Sequence, residues 1–68
     1  MNAILKEYVN GVETGFTLEA TVAELDYSAK IIGRKYLSRN EEVELYMYKK
    51  DEEDGEPLHY YNEHGKVY

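Results

Sequence analysis

The sequence predicts a mainly α domain closed by a β-hairpin. Three observations lead there. Apolar residues recur at helical spacing through much of residues 1–40, residues 43–48 alternate with period two, and residues 58–61 supply a return strand. The expected organisation is one small domain over residues 1–68: a helical part, residues 1–40, and a hairpin part, residues 41–68.

Asn2 is placed to cap a first helix, with Ile4, Leu5, Tyr8 and Val9 on one apolar stripe and Gly11 as its stop. A hairpin competes for the same residues, because Asn10-Gly11 is a strong two-residue turn signal between Val9 and Val12. Gly15-Phe16 interrupts the pattern and reads as a very short strand. Thr17 then caps a second helix over residues 18–25, with Leu18, Val22 and Leu25 on one face. Asp26-Tyr27 reads as a tight turn. Ser28 caps a third helix, residues 29–38, which buries Ala29, Ile32 and Tyr36 and carries Lys30, Arg34, Lys35 and Arg39 outside, together with Ile31. Gly33 inside that helix costs about 1 kcal/mol relative to alanine unless close packing requires it.

A single helix over residues 22–37 competes with this division. Thr21 and Glu24 have the spacing of a capping box for it. The chain then reads strand-strand-helix-strand-strand, an α+β arrangement (ββαββ) with one helix on a small antiparallel sheet.

In the hairpin, Val43, Leu45 and Met47 are expected to face the core, with Tyr46 and Tyr48 on the opposite face. Between the strands lies a polar loop with five carboxylates, Asp51, Glu52, Glu53, Asp54 and Glu56. Asn62-Glu63-His64-Gly65 reads as a turn, and residues 66–68 as a last short strand.

Charge is distributed unevenly. The net charge is −6, all of it from residues 41–68, since carboxylates and cations balance in residues 1–40. This asymmetry concerns partners rather than fold. The chain also holds eight tyrosines and no tryptophan. Tyrosine provides large amphipathic contact area, so Tyr46, Tyr48 and Tyr61 are candidates for a protein-binding or dimer surface, or else for covering a thin core.

The elements Gly15-Phe16-Thr17-Leu18-Glu19, then Val22-Ala23-Glu24-Leu25-Asp26-Tyr27-Ser28-Ala29-Lys30-Ile31-Ile32, then Tyr36-Leu37, resemble the winged helix-turn-helix family, with residues 43–61 as the wing. That resemblance implies a DNA-binding transcriptional regulator whose helix after the turn enters the major groove. Ser28, Lys30, Ile31 and Arg34 would then face bases or nearby phosphates, and Lys35 and Arg39 the backbone. The wing opposes this, because its carboxylates repel the phosphates on which affinity rests.

Much chemistry lacks a motif. Without cysteine there is no disulfide or thiolate metal site. His59 and His64 match no zinc spacing, and the acidic loop lacks the spaced ligands of an EF-hand. No cofactor and no enzymatic activity are expected. A soluble, cytoplasmic protein is expected, without a membrane partner, since no apolar run approaches the roughly 18 residues that span a bilayer. Two partner classes follow. One is double-stranded DNA, read by residues 28–39. The other is a basic protein, blocked by an acidic inhibitor through Asp51, Glu52, Glu53, Asp54, Glu56 and the tyrosines. Small phage anti-CRISPR and DNA-mimic proteins are similar in size and charge. A homodimer is compatible with either.

Overall fold

The computed structural model describes residues 2–68. Two strands lead into one helix and further strands follow: β1 (Asn2–Val9), β2 (Val12–Thr21), α1 (Val22–Ser38), β3 (Glu44–Lys49), β4 (His59–Asn62) and β5 (Gly65–Lys66). They form a five-stranded antiparallel sheet in the order β2-β1-β3-β4-β5, with α1 packed on one face. This corrects the mainly α, winged helix-turn-helix expectation. The ββαββ arrangement is the one the chain adopts, extended by the two-residue strand β5.

Residues 2–10 do not form the expected helix: Asn2–Val9 is strand and Asn10 opens a turn. Asn10 and Gly11 both take positive φ, 54° and 78°, as the tight hairpin turn joining Val9 to Val12 requires. Ala3, Leu5 and Glu7 point toward α1, while Ile4, Lys6 and Tyr8 point to the other side. The alternation is hard to see in the sequence because Lys6 and Tyr8 share the outer face with Ile4, and Glu7 lies on the inner one. The buried Glu7 carboxylate accepts a 2.8 Å hydrogen bond from the Thr14 hydroxyl. The β1–β2 register shifts between Lys6 and Tyr8, opposite Gly15 at φ 89°. Gly15-Phe16 is therefore not an isolated short strand but the bulged middle of β2, and Leu18 and Ala20 continue that strand instead of opening a helix.

Asp26-Tyr27 also departs from expectation: it is helix and not a turn. The helix begins where the capping box places it. The Thr21 hydroxyl accepts from the Glu24 N–H at 3.2 Å, and the Glu24 carboxylate accepts from the Thr21 N–H at 3.2 Å. It ends in a Schellman motif. Asn40 at φ 57° donates to the Leu37 carbonyl at 2.9 Å, and Glu41 donates to the Tyr36 carbonyl at 2.9 Å.

Leu25, Ala29 and Gly33 lie buried against the sheet, where Ala3, Leu5, Val43, Leu45, Met47 and Tyr61 complete the core. Each fully buried leucine, valine or methionine contributes about 1.5–3 kcal/mol of transfer free energy. Gly33 meets the need for close packing. A Cβ there would lie 2.8 Å from the Asn62 carbonyl oxygen, so only glycine lets α1 approach the β4–β5 turn. Val43, Leu45 and Met47 are core residues as expected. The segment read as a wing is not one, because β3 pairs with β1 on one side and β4 on the other, inside the sheet.

Among the described residues, no helix is long and apolar enough to cross a membrane.

Candidate protein-binding surface

Because α1 covers one face of the sheet, the alternate residues of β1, β3 and β4 emerge on the other. Cross-strand pairing places them together: Lys6 is opposite Tyr46, Tyr46 opposite Tyr60, Tyr8 opposite Glu44, and Ile4 opposite Tyr48. No helix or strand of the described residues covers this face.

The rings form a connected row. Tyr46 meets the edge of Tyr8 at a centroid separation of 5.4 Å and stacks on Tyr60 at 4.8 Å. Tyr48 lies 6.4 Å from Tyr46 on one side, and Tyr68 lies 5.9 Å from Tyr60 on the other. Glu44 sits among them. Its carboxylate accepts from the Tyr60 hydroxyl at 3.0 Å and makes a longer, 3.5 Å contact with the Tyr46 hydroxyl. Partial burial, then the Glu44 hydrogen bond, pushes the Tyr60 hydroxyl up to about 12. Burial and Glu44 likewise raise Tyr46, and burial raises Tyr48. Tyr46, Tyr48 and Tyr60 therefore stay neutral at physiological pH, and the row presents π faces and hydroxyls.

Carboxylates surround it. At one end Glu42, Glu44 and Glu63 line an open depression of about 320 Å³ with Tyr8 and Tyr60. Glu13, on β2 opposite Tyr8, and Glu53, from the acidic loop, each approach the Lys6 ammonium to 3.9 Å, and Lys50 pairs with Glu19 at 3.2 Å. The acidic loop bearing Asp51, Glu52, Glu53, Asp54 and Glu56 is exposed, and Glu53 reaches this face through Lys6.

Tyr46 and Tyr48 occupy the expected face. Tyr61 does not: it is fully buried under α1, and its hydroxyl donates to Asp26 at 2.9 Å. Tyr60 takes the place expected of Tyr61, and Tyr8 and Tyr68 extend the row. The sequence signal for Tyr8 was the hairpin turn at Asn10-Gly11, which commits β1 to strand.

The residues assigned to DNA reading fall elsewhere. Lys30, Ile31, Arg34, Lys35 and Arg39 are exposed along or just beyond α1, on the opposite side of the molecule. Ser28 lies mid-helix and caps nothing. Lys30 is paired with Asp26 at 3.4 Å. With an unbroken helix through Asp26-Tyr27, there is no separate recognition helix following a turn. No cluster of three or more metal-ligating side chains occurs among the described residues.

No family model, curated protein or solved structure matches the chain.

Proposed function

We propose that this protein is an acidic binding module that captures a basic protein through the tyrosine face of its sheet, thereby blocking a surface that otherwise holds nucleic acid. One observation carries the reading: a connected row of tyrosines, with Glu44 in its midst, on the sheet face opposite the helix. Aromatic faces attract guanidinium and ammonium groups, and neighbouring carboxylates add charge-assisted hydrogen bonds. Tyrosine is also the residue type that dominates interface energetics while losing little conformational entropy. The net charge of −6 disfavours a phosphate backbone and steers cationic partners toward the molecule. The cations of α1 lack the turn that would present them to a groove.

Displacement of a labelled DNA duplex from protamine tests this reading. The wild-type protein is expected to release the duplex, and the Tyr46→Ala/Tyr60→Ala double variant, of identical net charge, to release far less. Equal release by both would reduce the effect to bulk charge and refute a role for the tyrosine face. Binding of the duplex by the protein itself would favour the DNA-reading alternative.

A further inference from the structure

The tyrosine face already holds a cation beside Tyr48, and it belongs to the chain itself. Lys6 projects from β1 onto this face, with its side chain only 22% exposed. Its ammonium lies 5.8 Å from the Tyr48 ring centroid and 3.9 Å from carboxylate oxygens of both Glu13 and Glu53. Those three groups come from separate elements: Tyr48 from β3, Glu13 from β2 and Glu53 from the acidic loop. A ring face combined with two convergent carboxylates is the recognition geometry for a cationic side chain.

We infer that Tyr48, Glu13 and Glu53 form a seat for one arginine side chain of the partner, and that Lys6 fills this seat in the free protein and is displaced on binding. The inference rests on the basic-partner reading above and adds the residue chemistry that the partner supplies. Three features support displacement. The two Lys6 ion pairs are long, so neither holds the ammonium tightly. Glu53 sits on an exposed loop, where it can re-aim toward an incoming group. A guanidinium has five donors in a planar fork, so it can bridge two carboxylates while stacking on the ring; an ammonium is a more strongly hydrated point charge. Arginine therefore gains more from the seat than lysine does.

The consequence is counter-intuitive for a surface side chain, because removing Lys6 strengthens binding. Calorimetric titration of hexa-arginine and hexa-lysine peptides at about 0.15 M ionic strength measures it, using wild type, Lys6→Met, Lys6→Gln, Lys6→Arg and Lys35→Met. Lys35→Met makes the same charge change as Lys6→Met on exposed helix surface, and circular dichroism checks that each variant is folded. Lys6→Met and Lys6→Gln should each bind hexa-arginine about three- to ten-fold more tightly than wild type. Lys35→Met should change affinity less than two-fold (about the effect of one screened surface charge). Lys6→Arg should bind no more tightly than wild type, and hexa-arginine should gain more than hexa-lysine from opening the seat. If wild type binds hexa-arginine and Lys6→Met binds no more tightly than Lys35→Met, the seat is refuted while the basic-partner reading stands. If no variant binds either peptide, both fall.

Discussion

The Tyr61 hydroxyl donates a 2.9 Å hydrogen bond to the Asp26 carboxylate, joining the buried middle of β4 to the first half of α1. Lys30 and Lys66 flank the same carboxylate at 3.4 and 3.7 Å. This contact explains an aspartate in mid-helix, where its short side chain would otherwise compete for backbone groups. Tyr61→Phe is expected to lower unfolding free energy by about 1–2 kcal/mol, measured by urea denaturation. Asp26→Ala should lower it further, because the Tyr61 hydroxyl then stays buried without an acceptor. A loss under 0.3 kcal/mol (about the noise of such a comparison) in both would show that the bond does not hold helix to sheet.

The same contact sets an acid limit. The Tyr61 hydrogen bond, with Lys30 and Lys66 nearby, holds Asp26 below the ordinary carboxylate range. A carboxyl lowered in the folded state stabilises fully above its unfolded value, about 3.9, and that stability is lost as pH falls through the folded value. Thermal melts from pH 6 to pH 2 should therefore show a decline beginning near pH 4, and Asp26→Asn should flatten part of it. An identical pH profile for the variant would assign the decline to other carboxylates.

At high pH the tyrosines act in the opposite sense. Burial and Glu44 hold Tyr60 neutral up to about 12, while burial and Asp26 push Tyr61 higher still. A raised hydroxyl stabilises the fold fully below the unfolded value, about 10, and this is lost as pH rises through the folded value. Absorbance at the tyrosinate band should rise in two stages, with the later stage coinciding with loss of the circular dichroism signal. A single smooth titration centred near the free-tyrosine value would contradict the packing of Tyr60 and Tyr61.

Gly33→Ala separates local preference from packing. Helix propensity alone would stabilise the variant by about 1 kcal/mol. The Cβ, however, meets the Asn62 carbonyl oxygen at 2.8 Å, a backbone atom with little room to retreat. Overpacking of this kind costs about 1–3 kcal/mol, so the variant should melt at lower temperature than wild type. A higher melting temperature would mean that α1 sits further from the β4–β5 turn.

What the sequence reveals and conceals follows from the range of each interaction. The capping box at Thr21 and Glu24, the Asn10-Gly11 turn and the alternation of residues 43–48 are local, and all are legible. Asp26 and Ser28 resemble a turn and a cap because such residues favour both, and the partner that keeps Asp26 in a helix lies 35 positions away. Glu7 breaks the apolar alternation of β1, yet it is buried because Thr14 and the bulge meet it. Strand parity at Tyr60 and Tyr61 was illegible for another reason. The loop preceding β4 is too long to set register, and a one-residue slip exchanges the faces. The sequence alone therefore puts Tyr61 on the surface that Tyr60 occupies.

On the binding side, each outer tyrosine should behave as an interface residue and the helix cations should not. Tyr46→Ala or Tyr60→Ala should weaken hexa-arginine binding by about 1–2 kcal/mol, with Arg34→Ala within 0.3 kcal/mol of wild type (about the limit of additivity). Comparable losses from Arg34→Ala would move the contact surface to α1.

The most direct measurement is a nuclear magnetic resonance titration of the isotope-labelled protein with hexa-arginine peptide, following backbone amides and tyrosine ring signals together. Shifts should concentrate on β1, β3 and β4 and on the rings of Tyr8, Tyr46, Tyr48 and Tyr60, with residues 30–39 of the helical segment unmoved. Shifts confined to those helix residues, or none at all at millimolar peptide, would contradict binding through the tyrosine face.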